Sequence, residues 1–392
     1  MDLCPILKKH AKNKQPIMTY NVIIVGGGLA GLTSAAHLSK MGLSVLLIEK
    51  NKYPKHKVCG EYISNEVLPY LQALGFNPFA FGAKKINQFT LSTPKNQSIS
   101  TKLPFGGFGM SRYGMDWELS KLAKKYGTKI LHEKVVDIQF EDNQFTVYTN
   151  EEKQLKAEFV IGAFGKRSNL DINMNRAFIQ KPTPFLGVKA HYKGDFPENM
   201  VALHNFKGGY CGISKVETDL VNVCYIADYK SFKKHKNIND FQQSVLSKNT
   251  YLKNVFESFE MTFDNPLSIS QISFSSKQPV ENHILMCGDS AGMIHPLAGN
   301  GMSMAIRAAQ MVSLKILNYQ SGNIKSRTEL EKQYTQIWNK EFNARLRSGH
   351  LIASLFKQGV FSEIIMVFLR AFRFMLPSII KSTHGKPMKP EL

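Results

Sequence analysis

Apolar and polar positions along the chain change their period several times, and each change marks an element. Asn21 to Val25 is a short β-rich run that leads straight into Gly-Gly-Gly-Leu-Ala-Gly-Leu. Leu-Thr-Ser-Ala-Ala-His-Leu-Ser-Lys then sets small residues at helical spacing, and Gly42 after Met41 suits the left-handed cap that ends a helix. Ser-Val-Leu-Leu-Ile-Glu is a second apolar run, closed by an acid. This order of strand, turn, helix and strand is a βαβ unit. From Lys129 to Ile161 the period shortens, and three strands are predicted, the first two joined by a turn at Glu141–Asn143. Phe185 to Phe274 is a mixed stretch with alternating strand-like runs. His-Ile-Leu-Met before Cys287 is another apolar strand, Met302 to about Leu317 reads as a helix, and the tail from about Glu341 is helical. The pattern predicts an α/β protein with a mixed β region inserted, and contains no internal repeat.

Composition narrows this picture. The 392 residues suggest two or three domains, and 43% hydrophobic with 11% aromatic residues exclude a disordered or collagen-like chain. Fifty Lys+Arg against 30 Asp+Glu give a net charge of +20. Such an excess favours an anionic partner (nucleic acid, a phospholipid surface, a phosphorylated cofactor) or simply dresses a Lys-rich solvated surface. The basic residues are dispersed and no nucleic-acid module is present, so nucleic acid is not the expected partner. Cys4, Cys59, Cys211, Cys224 and Cys287 are odd in number and none pair as Cys-x-x-Cys. Neither a disulfide framework nor a metal site is expected, and a reducing, cytoplasmic setting is. The first twenty residues lack an apolar core of signal-peptide length, and Ile364 to Leu369 is far short of a bilayer span.

Chemistry enters with the glycines. Gly26-x-Gly28-x-x-Gly31 is a dinucleotide fingerprint. Its first glycine allows the tight turn, its second lets backbone approach a pyrophosphate, and its third lets helix and strand pack closely. Leu29 and Ala30 fill the motif. Glu49 closes the second strand, followed by Lys50, where an acid accepts hydrogen bonds from adenosine ribose hydroxyls and disfavours a 2′-phosphate. A second element decides which dinucleotide. Cys287-Gly288-Asp289-Ser290-Ala291-Gly292 continues into Pro296-x-x-Gly299-x-Gly301-Met302. This resembles the second FAD motif of the flavoproteins that include aromatic hydroxylases and geranylgeranyl reductases, the group A superfamily.

The resemblance implies FAD, with Asp289 on the ribityl chain and Gly288, Gly299, Gly301 and Met302 close to the ring. It implies a Rossmann-type FAD-binding domain (18–80, 110–178 and 276–340), an inserted mixed-sheet substrate domain (81–109 and 179–275) and a helical tail (341–392). Lys57-Val58-Cys59-Gly60-Glu61 resembles the Cys-Gly loop of the geranylgeranyl-reductase branch, which makes Cys59 and Gly60 flavin neighbours and Cys59 the catalytic candidate. Arg112-x-x-x-Asp116-x-x-Leu119 resembles the helix whose arginine contacts the cofactor. One departure stands out. Phe164 replaces the acid of the family's Ala-Asp-Gly motif, with Lys166, Arg167 and Ser168 following, which leaves NADPH, NADH, a ferredoxin or a flavodoxin open as electron donor. Gly208 to Ile213 lacks the tryptophan element of flavin-dependent halogenases. His295 beside Pro296 reads as a packed loop residue.

The expected activity is reduction of carbon–carbon double bonds in a hydrophobic substrate. Hydroxylation of an aromatic or polyene compound is the alternative, and a non-catalytic prenyl-lipid carrier of the same fold the second. In the tail, Arg345, Arg347, Lys357, Arg370, Arg373, Lys381, Lys386 and Lys389 stand among apolar residues, a pattern that suits either a helix on an anionic membrane or helices packed on the enzyme.

Overall fold

The computed structural model describes residues 19–181, 184–272, 274–294, 299–357 and 359–392, and for 350–357 and 359–361 the backbone alone. Cys4, His295 and Pro296 lie outside the described residues. The chain begins with β1 (Thr19–Val25), α1 (Leu29–Lys40) and β2 (Val45–Ile48). It continues through β3 (Tyr62–Ser64), α2 (Leu68–Leu74), β4 (Lys84–Ser92), β5 (Ser98–Gly109) and α3 (Arg112–Lys125). Then come β6 (Lys129–Leu131), β7 (Val135–Glu141), β8 (Gln144–Thr149), β9 (Gln154–Gly162) and α4 (Asn169–Asn173). The middle supplies β10 (Phe185–Lys193), β11 (Met200–Phe206), β12 (Gly209–Lys215), β13 (Val221–Asp228), α5 (Tyr229–Phe232), α6 (Ile238–Ser244) and α7 (Thr250–Ser258). Four short strands follow: β14 (Glu260–Met261), β15 (Leu267–Ile272), β16 (Val280–Glu281) and β17 (Ile284–Met286). The chain closes on α8 (Gly301–Gln320), α9 (Arg327–Lys357), α10 (Gly359–Ala371) and α11 (Met375–Thr383).

One sheet runs β16-β17-β9-β1-β2-β6, with β8 on β9 and β7 on β8. Its β17, β9, β1, β2 and β6 are mutually parallel. Parallel strands buried on both faces read as unbroken apolar runs, and β2 (Val-Leu-Leu-Ile) is buried at all four positions. The β7–β8 turn falls where the sequence places it, with Asp142 and Asn143 at φ 49° and 60°, the left-handed pair that a tight hairpin needs. The second sheet runs β14-β10-β13-β12-β11-β4-β5-β3, with β15 on β10. It is mixed, because β11 pairs with β4 in parallel. Leu186, Val188, Val223 and Tyr225 cover one of its faces with Phe241, Leu246, Leu252 and Val255 from the α6–α7 segment. The opposite face carries Lys189, His191 and Asn222 toward the loop at Cys59–Glu61.

The tail packs on the rest of the molecule along much of its length. Residue 341 lies inside α9, whose Tyr334, Trp338 and Phe342 belong to the main core. Arg345 is not a surface cation: it is buried and ion-paired to Glu66 and Glu341. Met366, Leu369 and Leu376 of α10 and α11 pack on Ile86, Phe89, Leu91, Ile99 and Leu103 of β4 and β5. Past α11 the chain returns along α8. Asn300 Nδ2 donates to the Thr383 carbonyl at 3.0 Å, and Gln310 Nε2 donates to the carbonyls of Lys389 and Glu391 at 2.9 Å each. Among the described residues no helix is long and apolar enough to cross a membrane.

Candidate functional site

The first glycine motif forms because nothing larger fits. Gly26 holds φ 105° and its missing Cβ would collide with the Ala163 carbonyl at the end of β9. A Cβ on Gly31 would strike the Gly26 carbonyl. Gly28 differs: a Cβ there would meet only Arg112 Nη2 at 3.5 Å and Lys57 Nζ at 3.9 Å. Two cations therefore stand over the N-terminus of α1, with Leu29 and Ala30 buried behind it. That cradle fits a pyrophosphate, which would lie between free helix N–H groups and fixed positive charge.

Asp116 holds both cations in place. It accepts from Arg112 Nε at 2.9 Å and Nη2 at 2.8 Å, and from Lys57 Nζ at 2.9 Å. Burial works against its charge, yet Arg112 and then Lys57 keep its carboxyl below the usual range. Glu49 sits at the end of β2, buried, with Oε2 accepting from Gly27 N at 2.8 Å and Oε1 from Asn51 N at 2.9 Å. Asn51 Nδ2 donates to Oε1 as well, at 2.8 Å, so Oε2 is the oxygen that keeps lone-pair capacity for a ribose hydroxyl. Tyr53 had no signal in the sequence; its hydroxyl donates to the Gly27 carbonyl at 2.7 Å. Lys50 is exposed just beyond Glu49.

The second motif packs directly on the first. Gly288, at φ 62°, brings its Cα so close that a Cβ would lie 2.9 Å from the Ala30 methyl. Ser290 Oγ accepts from Gly165 N at 2.9 Å, which ties this motif to the Phe164 segment. Asp289 is half-buried, and its main-chain carbonyl accepts from the buried Lys277 Nζ at 2.7 Å. Burial pushes the Lys277 ammonium down to about 8. Gly299 (φ 66°) and Gly301 lead into α8, and Met302 Sδ accepts from Cys59 Sγ at 3.3 Å. The Cys-Gly loop thus reaches the start of α8, 243 residues away in sequence. Burial raises the Cys59 thiol, so it is held as a thiol and not as a thiolate. A Cβ on Gly60 would meet open space.

Behind that loop lies a charged cluster with no local sequence signal. Glu61 is fully buried; its Oε1 pairs with Lys189 Nζ at 2.5 Å and its Oε2 with His191 Nε2 at 2.7 Å. Arg112 N also donates to Oε1, at 2.6 Å. Burial alone would raise the Glu61 carboxyl, but Lys189 and then His191 outweigh it and hold it low. His56 lies edge-on to His191 with ring centroids 5.1 Å apart, and stacks on Tyr113 at 4.5 Å. Asn222 Nδ2 donates to the carbonyls of Cys59 (3.2 Å) and Gly60 (2.9 Å), which seats the loop on β13. Alternation along β13 puts Cys224 and Ile226 on the same face as Asn222. That face ends in an apolar cluster of Tyr210, Ile226, Ile272 and Met293, the last from the second motif.

The comparisons agree with this geometry. The FAD binding domain family matches residues 19–337. A conditioned medium factor receptor 1 of Dictyostelium discoideum is 23% identical over 82% of this chain and 68% of its own length. A digeranylgeranylglycerophospholipid reductase of Methanococcus vannielii is 23% identical over 85% of this chain and 83% of its own. Among solved structures, the flavin-dependent brominase Bmp2 superposes with a TM-score of 0.75 at 17% identity, covering 93% of this chain and 94% of that one, which is a likeness of fold. With both glycine motifs, the acid closing β2 and the paired cations in one cradle, the chain belongs to the FAD binding domain family and is an FAD-dependent oxidoreductase of the group A flavoprotein superfamily.

Proposed function

We propose that the chain reduces carbon–carbon double bonds in a hydrophobic, prenyl-type substrate, and that it works at a membrane surface where such a substrate resides. The observation that carries this reading is the contact of Cys59 with Met302, which sets the reductase-type Cys-Gly loop against the helix start of the second motif. FAD held by the two glycine motifs and Glu49 would supply two-electron, hydride-type chemistry beside that loop. The protein's part is position and protons. Lys57 and Arg112 bind the pyrophosphate, the face formed by Tyr210, Ile226, Ile272 and Met293 receives the apolar chain and excludes water, and Glu61 with Lys189 and His191 holds a proton next to the loop. A relative named as a digeranylgeranylglycerophospholipid reductase supports the substrate class. Phe164, partly buried against the core where the family carries an acid, supports a protein electron carrier of ferredoxin or flavodoxin type as the donor in place of NADPH or NADH.

The test is incubation of dithionite-reduced enzyme with a prenyl lipid in parallel anaerobic and aerated samples, followed by mass spectrometry. A gain of two hydrogens per double bond is the expected product; a hydroxylated product that requires oxygen would overturn the reading in favour of a monooxygenase. Cys59→Ser is expected to keep its yellow flavin and lose turnover. Full turnover in that variant removes Cys59 from the chemistry.

A further inference from the structure

We infer that α10 and the turn leading into α11 form a docking face for an anionic lipid leaflet. The helix has two apolar sides. Met366 and Leu369 are buried against β4 and β5. On the other side Ile364 is 59% exposed, Val367 59%, Phe368 46%, Phe372 44% and Phe374 75%. Phe368 and Phe372 rings lie 4.8 Å apart, and Phe372 and Phe374 6.2 Å apart, so the three form one continuous aromatic ridge. A core helix does not need that second side, and a solvated one would not carry it.

Charge selects the occupant. Arg370 and Arg373 are exposed within the ridge, and Lys95 stands exposed where α10 meets the β4–β5 turn. The one acid of α10, Glu363, is turned onto the body, where its carboxylate accepts from Thr93 Oγ1 at 2.8 Å and from Lys95 N at 3.1 Å. Among the described residues the outward side of α10 is therefore apolar and cationic. A second copy docked here by a two-fold axis would bring Arg370 and Arg373 against themselves, in a chain that already carries +20. An anionic leaflet meets both demands: phenylalanines enter the acyl boundary while the arginines reach phosphate. The face deepens the membrane-surface part of the proposed function and stands apart from the flavin chemistry, so its failure would remove that membrane part and leave the choice between reduction and hydroxylation untouched.

Flotation of the FAD-loaded full chain with phosphatidylcholine vesicles, with and without phosphatidylglycerol, tests it. Binding is expected only with the anionic lipid, and is expected to weaken with salt. Phe372→Ser with Phe374→Ser should lower the bound fraction roughly tenfold, and Arg370→Glu with Arg373→Glu at least as much. The flavin spectrum and melting temperature of both variants should match the parent, because these side chains point away from the core. No binding by the full chain, or parent-like binding by both variants, overturns the inference. So does a concentration-dependent dimer in sedimentation that the phenylalanine variant abolishes.

Discussion

At the scale of single residues, the cradle proposed for the pyrophosphate rests on one arginine more than its motif suggests. Arg112 is fixed by Asp116 through two hydrogen bonds, so its guanidinium is already aimed over Gly28 before any ligand arrives. Preorganised charge of this kind loses little entropy on binding. A charge-assisted hydrogen bond contributes roughly 1.5–3 kcal/mol, so Arg112→Ala should weaken FAD binding by about 10- to 100-fold. Titration of the apoprotein with FAD, followed by flavin fluorescence, measures this; unchanged affinity would mean that Lys57 alone carries the pyrophosphate. The motif residues were legible because their reasons are local: a glycine that admits no Cβ, an acid that ends a strand. Tyr53 was not, since its hydroxyl matters only through the turn it meets from 26 residues away.

At the scale of elements, α1 and α2 are joined by a buried histidine. His37 Nδ1 lies 3.0 Å from the Tyr70 hydroxyl, and neither side chain reaches solvent. Burial, helped by Lys40, depresses its pKa to about 4 from 6.5. The sign follows directly. Between pH 6.5 and 4 the unfolded chain binds a proton at His37 that the folded chain does not, so stability falls as pH falls through that window. The full shift corresponds to about 3 kcal/mol. His37→Gln has no proton to take up, so it should lose about that much less stability than the parent between pH 7 and pH 4, measured by urea unfolding at each pH. Equal losses would show that His37 is charged, or exposed, in the folded state. The helix periodicity predicted α1 but could not reveal this join, because the pattern of an element says which side is apolar and not which polar group is buried within it. The same limit applies to α10, whose apolar residues read equally as packing or as membrane contact until the structure divided them between two sides.

At the scale of the molecule, the two sheets are locked where the sequence offered no motif. Glu61 follows the Cys-Gly loop of the FAD side, whereas Lys189 and His191 stand on β10 of the second sheet, 128 and 130 residues away. Neither composition nor spacing connects them; only the fold does. All three are buried, so the cluster carries a desolvation cost that only mutual pairing offsets. Glu61→Gln strands the Lys189 ammonium in the interior and should cost about 3–5 kcal/mol, read as a lower urea midpoint with unchanged slope. Adding Lys189→Met removes the stranded charge, and the double variant should regain most of that loss, because removing both partners of a buried pair is far less costly than removing one. Recovery of stability without recovery of turnover would separate two roles of the cluster: joining the sheets, which a methionine can do, and holding a proton beside Cys59, which it cannot. If the double variant is no more stable than Glu61→Gln, Lys189 is not the partner that sets the cost, and His191 must carry the pairing instead.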